Sequence, residues 1–232
     1  MAQTRRFWLG LLVLLLPSTV YGQEALARKY GIMQIECPDK AKGTAFVVAE
    51  PKAGTKLLAT AAHVVVARTA DGKDIPTQIQ PGRYTLRLEG LEWPARVVSF
   101  DYPNDTAILA SEIAEKFEIP EIGTPVGLNE PGTKYLPSRI PGGFMGYANG
   151  GPIKDTVGFV SFVHQNVIYS DAVLIPGQSG GPMLVDGKIA GVIQGGWIWV
   201  SKQDEPTVTW PARCTNAKRL REMVEFAKER VK

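Results

Sequence analysis

Apolar and polar positions change places along this chain in short runs, each closed by glycine, proline or another turn residue. Weak alternation over residues 31–36, a β-rich run at 43–48, a turn across 51–56 and a second run at 57–60 predict an early hairpin. Runs at 84–88, 95–100 and 107–110 continue the series, and 124–128, 156–163, 167–172, 183–185, 189–194 and 207–210 repeat the style in the second half. Many short strands separated by frequent turns predict an all-β sandwich or barrel. Residues 111–121 are polar and compatible with helix, and are expected to connect two β units. Residues 131–152 hold more proline and glycine than a strand ordinarily tolerates and are expected to form a surface loop, either functional or a plain insertion. A single helix is expected, at the end: Thr215 or Asn216 caps it, and Ala217, Leu220, Val224, Ala227 and Val231 form an apolar stripe suited to packing on the β core. A partner-binding or membrane-surface helix is the alternative use of that stripe.

The first 22 residues do not belong to this pattern. Arg5 and Arg6 precede an apolar run over residues 7–16, which Pro17 and Ser18 break before the small Gly22, as in a secretory leader. The run is shorter than the roughly 20 apolar residues that span a bilayer. Export is therefore expected, to a periplasmic or extracellular setting, with no membrane attachment once the leader is gone.

Composition changes the picture little. The 232 residues are 44% hydrophobic and 21% charged, with 24 glycines and 17 prolines that favour turns over long helices. The formal charge is +3; no acid precedes Gln23, so removing Arg5 and Arg6 takes off 2 and leaves +1. Basic residues are dispersed among acids, and no Lys/Arg run interleaves with aromatics, which excludes a nucleic-acid partner. No phosphate-binding loop is present: five residues separate Gly181 from Gly187, and Ile189 stands where a hydroxyl residue is needed. Cys37 and Cys214 have no metal-ligand spacing; in an exported chain they either pair or remain two buried thiols.

The candidate chemistry begins at Pro176-Gly177-Gln178-Ser179-Gly180-Gly181-Pro182. Glycines here permit a tight positive-φ turn bounded by prolines, with Ser179 at its apex. The N–H groups of Gly177 and Ser179 can then converge on an anion, which is half of an acyl-transfer site. A Gly-rich hairpin whose serine bonds its own backbone is the simpler alternative. The other half needs a base. Of the two histidines, His63 ends an apolar run in Thr60-Ala61-Ala62-His63, where it is either a core residue or a proton acceptor, and His164 lies in a polar turn. Asp105, in Asp105-Thr106-Ala107-Ile108-Leu109, precedes an apolar strand and is either a turn cap or the carboxylate that orients the imidazole.

These three segments resemble the nucleophile, histidine and aspartate motifs of the trypsin-like (chymotrypsin-fold) serine peptidases, in that family's order His, Asp, Ser. The resemblance implies two antiparallel Greek-key six-stranded β-barrels with a C-terminal helix: a leader at 1–22, a first barrel at 23–115 and a second barrel with the helix at 116–232. It implies a catalytic triad of His63, Asp105 and Ser179, an oxyanion hole at Gly177 and Ser179, a polypeptide substrate and no cofactor. Alignment through the nucleophile motif places Val173 at the base of the primary pocket, with Gln194, Gly195 and Gly196 along its wall. With no acid there, a small or medium apolar side chain is the expected preference. Trp197-Ile198-Trp199 either lines the substrate groove or packs as an ordinary hairpin. Two departures matter. Gln178 stands where zymogen-activated members carry an aspartate, so activity is not expected to depend on a newly freed N-terminus. In this the chain is similar to the bacterial HtrA/Deg branch, yet little follows the helix where that branch carries a PDZ domain. The competing function is a catalytically inactive peptide-binding or chaperone-like module using the same cleft.

Overall fold

The computed structural model describes residues 18–123, 134–148, 151–196, 198–200, 206–209 and 212–231. The apolar run of the leader and the strand expected at 124–128 lie outside the described residues.

The chain enters through a helix that sequence reading did not anticipate, α1 (Ser18–Tyr30), which packs on the first strand and runs across the expected cleavage point at Gly22. Next come β1 (Ile32–Glu36), β2 (Lys42–Lys52) and β3 (Thr55–Thr60), then the four-residue α2 (Ala62–Val65). A small outlying hairpin follows, β4 (Val66–Arg68) with β5 (Asp74–Ile79), before β6 (Tyr84–Leu88), β7 (Leu91–Asp101) and β8 (Thr106–Glu112). Strands β1-β2-β3-β8-β7-β6 close into a barrel, β6 returning to pair with β1. Closure leaves no free sheet edge, so alternate side chains can fill the interior. Met33, Ile35, Leu58, Leu86 and Leu109, which the register sets on one face of the closed sheet, are all fully buried.

Residues 113–121 link the barrels without forming a helix. The second barrel contains β9 (Lys134–Tyr147), β10 (Ile153–His164), β11 (Val167–Ser170), β12 (Pro182–Val185) and β13 (Lys188–Gly195). A two-stranded excursion, β14 (Ile198–Val200) with β15 (Pro206–Thr209), precedes β16 (Ala212–Asn216) and α3 (Ala217–Arg230). The order β10-β11-β16-β13-β12-β9 closes as the first barrel does, every pairing antiparallel.

The largest departure from expectation is β9, a strand where a loop was expected over 131–152. Gly146 is there because other backbone comes close. A Cβ on Gly146 would stand 2.7 Å from the Gln178 Cα and 2.8 Å from Thr44 Oγ1. Pro141 is accommodated opposite Phe159, one residue before the ladder with β10 shifts register. The final helix is capped by Asn216, whose side chain accepts the Arg219 N–H at 3.1 Å, and Thr215 serves another purpose described below. Leu220, Met223, Val224 and Ala227 of α3 are buried in a cluster that joins first-barrel residues to Ile189 and Val192 of β13, so the helix packs on both barrels. Among the described residues no helix is long and apolar enough to cross a membrane.

Candidate active site

His63, Asp105 and Ser179 line one cleft of about 590 Å³, together with Gln194, Gly195, Gly196, Tyr102 and Arg213. The first barrel supplies His63 from α2, directly after β3, and Asp105 from the turn between β7 and β8. That turn is closed by the Asp105 N–H donating to the Tyr102 carbonyl (2.9 Å), and Asp105 adopts a left-handed φ of 47°, which the short polar side chain of Asp tolerates. Its carboxylate meets His63 twice. Oδ2 lies 2.8 Å and Oδ1 3.1 Å from Nδ1, and Oδ1 also accepts the His63 backbone N–H at 2.8 Å. A carboxylate only accepts, so Nδ1 carries the proton and Nε2 presents its lone pair.

Ser179 comes from the second barrel, on the turn between the irregular segment 171–175 and β12. Gly177 has φ 98°, and the Gln178 N–H donates to the Ile175 carbonyl at 3.1 Å. With Pro176 at the second position and a positive-φ glycine at the third, this is a type II turn. The hydrogen bonds of the segment can be followed one by one. The carbonyl of Gly177 accepts from Thr44 Oγ1 (2.8 Å), that of Gln178 from the Gly181 N–H (2.9 Å) and that of Ser179 from the Thr44 N–H (2.9 Å). Gly180 N–H donates to Ile193 O at 2.7 Å. Among the described residues the N–H groups of Gly177 and Ser179 have no protein acceptor, which leaves both available to an anion in the cleft.

Gln178 is completely buried and neutral. Its Oε1 accepts the Ile175 N–H at 2.7 Å, and its Nε2 reaches the carbonyls of Lys154 (3.2 Å) and Phe144 (3.4 Å). The side chain thus holds the turn from within the second barrel, with no ion pair. The Ser179 hydroxyl donates to the Gln194 carbonyl at 3.3 Å and makes no hydrogen bond to His63.

The residues expected at the pocket divide. Gly195 and Gly196 line a cavity of about 300 Å³ beside Ser179, whose other walls are Leu174, Ile175, Pro176 and Ile193. Val173 is not among them: it is 53% exposed and turned to the surface, and Leu174, one residue on, takes the inward position. Segment 171–175 is irregular, so residue count along it does not fix which side chain faces in. Gln194 contributes its carbonyl, but its side chain points away from the cavity, donating to the Asn104 carbonyl (3.0 Å) and to Thr215 Oγ1 (2.8 Å). His164 ends β10 on the surface. Both cysteines are free and buried; Cys37 donates to the Val64 carbonyl at 3.0 Å.

Sequence reading missed the residues that hold this site together. Thr44 on β2 grips the nucleophile turn, and Thr215 on β16 joins Asn104, the residue before Asp105, at 2.5 Å. Asn104 is also held by Asn166 (3.2 Å) and by Asp101, which is ion-paired to Arg219 of α3. Nothing marks Thr44 or Thr215 in a linear reading, since an isolated threonine in a strand is what β propensity alone predicts.

Comparison with known proteins agrees with the fold. No curated protein matches the chain. Among solved structures, Rv3671c of M. tuberculosis H37Rv, as a serine-to-alanine mutant in an inactive form, is similar with TM-score 0.59 and 19% identity over 93% of this chain and 95% of that one. A serine endoprotease from Yersinia pestis is similar with TM-score 0.60 and 16% identity, over 93% of this chain and 68% of its own. At that identity the likeness shows the fold. Residues 43–192 match the trypsin-like peptidase domain, from the strand that holds Thr44 to the one behind Ser179, and the chain belongs to that family.

Proposed function

We propose that this chain is an exported serine endopeptidase that hydrolyses peptide bonds through an acyl-enzyme on Ser179. The observation that carries the reading is the His63–Asp105 pair, Nε2 free, opening on the same cleft as Ser179. Rotation of the Ser179 side chain exchanges the Gln194 carbonyl for His63 Nε2. The imidazole then takes the hydroxyl proton as Oγ attacks the scissile carbonyl, and Asp105 stabilises the imidazolium. The unpaired N–H groups of Gly177 and Ser179 receive the oxyanion, each such donor being worth about 3 kcal/mol in comparable sites. His63 returns the proton to the leaving amine, and water, deprotonated by the same imidazole, releases the acyl group. No step needs a cofactor. The side chain before the scissile bond is apolar and of small to medium size, because the cavity beside Ser179 is walled by Leu174, Ile175, Pro176 and Ile193. Export rests on the leader pattern of residues 1–22, and N-terminal sequencing of the protein recovered outside the cytoplasm should begin at Gln23.

The decisive experiment is labelling with a fluorophosphonate. Wild type should be modified at Ser179, and His63→Ala and Ser179→Ala should not. Cleavage of unfolded casein, lost in Ser179→Ala with unchanged folding, extends the result to proteolysis. A wild-type chain that binds casein without labelling or cleaving it would instead be the inactive peptide-binding module.

A further inference from the structure

We propose that Thr44, on the first barrel, is a positioning residue for the oxyanion turn of the second, holding the Gly177 and Ser179 carbonyls inward so that the two unpaired N–H groups are left for substrate. The inference rests on the acyl-transfer reading and adds to it the part that makes the turn depend on barrel docking.

Thr44 lies on β2, fully buried, and does not line the cleft. Its hydroxyl donates to Gly177 O at 2.8 Å and accepts the Tyr147 N–H at 2.9 Å, while its own N–H donates to Ser179 O at 2.9 Å. Its carbonyl accepts from Thr60 Oγ1 at 2.7 Å, which fixes the strand behind it. Every polar group of the residue is therefore used, and two of its four bonds go to carbonyls on either side of the nucleophile. The neighbouring backbone comes close on two sides. A Cβ on Gly180 would fall 2.2 Å from the Thr44 carbonyl, and one on Gly146 would fall 2.8 Å from its hydroxyl. The turn is pressed between the barrels, with Thr44 at the contact.

A peptide unit is planar, so holding the Gly177 carbonyl fixes the plane of the Gly177–Gln178 unit. The orientation of the Gly177 N–H relative to that plane is set by the φ, 98°, and the ψ of the same residue. Glycine resists a change of φ less than any other residue, so the conformation needs an external hold. Gln178 holds the turn from the second barrel and Thr44 from the first. Valine at 44 would leave the Gly177 carbonyl and the Tyr147 N–H without partners in a buried site, and reorienting the Gly177 peptide is the available relief.

The test uses the full chain as wild type, Thr44→Val and Thr44→Ser, with three readouts: the rate of fluorophosphonate labelling, kcat and KM on fluorescein-labelled casein, and thermal unfolding. Thr44→Val should label more slowly and lose kcat by on the order of tenfold to a hundredfold, less than removal of a whole oxyanion donor. KM and cooperative unfolding should be retained. Thr44→Ser keeps the hydroxyl and should recover most of the rate. The proposal is overturned if Thr44→Val labels at the wild-type rate, if the serine variant is as slow as the valine one, or if the change falls on KM. Were Thr44→Val to lose cooperative unfolding, Thr44→Ala, which removes the same hydroxyl without a methyl against Gly177, is judged by the same criteria. Wild type that fails to label refutes the acyl-transfer reading itself, whereas labelled wild type with an unaffected Thr44→Val refutes only the role given to Thr44.

Discussion

Replacing Thr215 by valine should weaken the junction between the barrels by a calculable amount. Thr215 is fully buried on β16, and its Oγ1 donates to the Asn104 carbonyl (2.5 Å) while accepting from Gln194 Nε2 (2.8 Å) and Thr106 Oγ1 (2.8 Å). Valine fills the same space, so no cavity term enters. Thr106 can turn its hydroxyl to the Asn104 carbonyl, already 3.1 Å away, and Gln194 Nε2 keeps one bond to that carbonyl at 3.0 Å. One N–H of Gln194 is left unpaired beside an Oε1 that has no partner among the described residues. At about 1 kcal/mol per net hydrogen bond and somewhat more for the orphaned donor, the loss is about 2–3 kcal/mol. For a chain of this size that lowers Tm by about 4–12 °C. Urea unfolding with an unchanged m-value is the assay, with Thr215→Ser as the control that keeps the hydroxyl. A cycle with Gln194→Met should show a coupling of about 1 kcal/mol. A Thr215→Val variant within about 0.5 kcal/mol of wild type would refute the claim that this buried network joins the barrels, since surface substitutions do as much. Because Asn104 adjoins Asp105, the folded variant should also label more slowly with fluorophosphonate.

Three further outcomes are expected. Gly180→Ala forces a Cβ to 2.2 Å from Thr44 O and 2.3 Å from Thr60 Oγ1 at a φ of 87°, and should cost about 3–5 kcal/mol in urea unfolding; a variant of wild-type stability would contradict the close approach of the barrels. Burial pushes the Cys37 thiol from 9.0 up to about 12 and raises Cys214 as well, so iodoacetamide should modify neither until the chain unfolds. The folded chain keeps the Cys37 proton where the unfolded chain has lost it, so stability should fall as pH rises between 9.0 and about 12; thermal melts that stay level across that window would refute the burial of the thiol. Leu174→Ala should shift a peptide-library cleavage profile toward larger side chains before the scissile bond, whereas Val173→Ala should leave it unaltered, and the reverse result would restore Val173 to the pocket.

The parts of this molecule that were legible in advance are those where one residue type has one physical reason to be present. Pro176 to Pro182 announces a tight turn, Asn216 caps a helix, and the apolar runs at β2, β3, β8 and β13 are buried along almost their whole length. β9 was illegible because glycine in a strand has two opposite meanings. It marks a break in the chain, or it marks backbone packed against backbone, and only the position of Gln178 beside Gly146 decides. β5 was missed because its six residues are exposed or half-exposed and show no apolar face. Over residues 22–30, α1 offers one buried side chain, Ala27, too little for a helical stripe to declare itself. The misplacement of Val173 has another cause: a motif aligned by counting fixes positions along the chain, but side-chain direction in an irregular segment depends on φ and ψ.

The two halves of the site are kept together by forces that do different work. Leu220, Met223, Val224 and Ala227 bury the apolar face of α3 against both barrels at once. Burying a large apolar side chain is worth about 1.5–3 kcal/mol, so this helix adds substantially to the strength of the junction. Apolar contact is not directional, however, and by itself leaves the barrels free to shift by a fraction of an ångström, which acyl transfer does not tolerate. Direction comes from the hydrogen bonds. Thr44 bonds the nucleophile turn, Thr215 and Gln194 bond the carbonyl beside Asp105, and Arg219 at the start of α3 reaches Asp101 in the same loop. Each of these bonds contributes little net stability, because its groups were bonded to water before folding. Each nonetheless permits one relative position of the barrels, the position in which His63, held by Asp105, shares a cleft with Ser179.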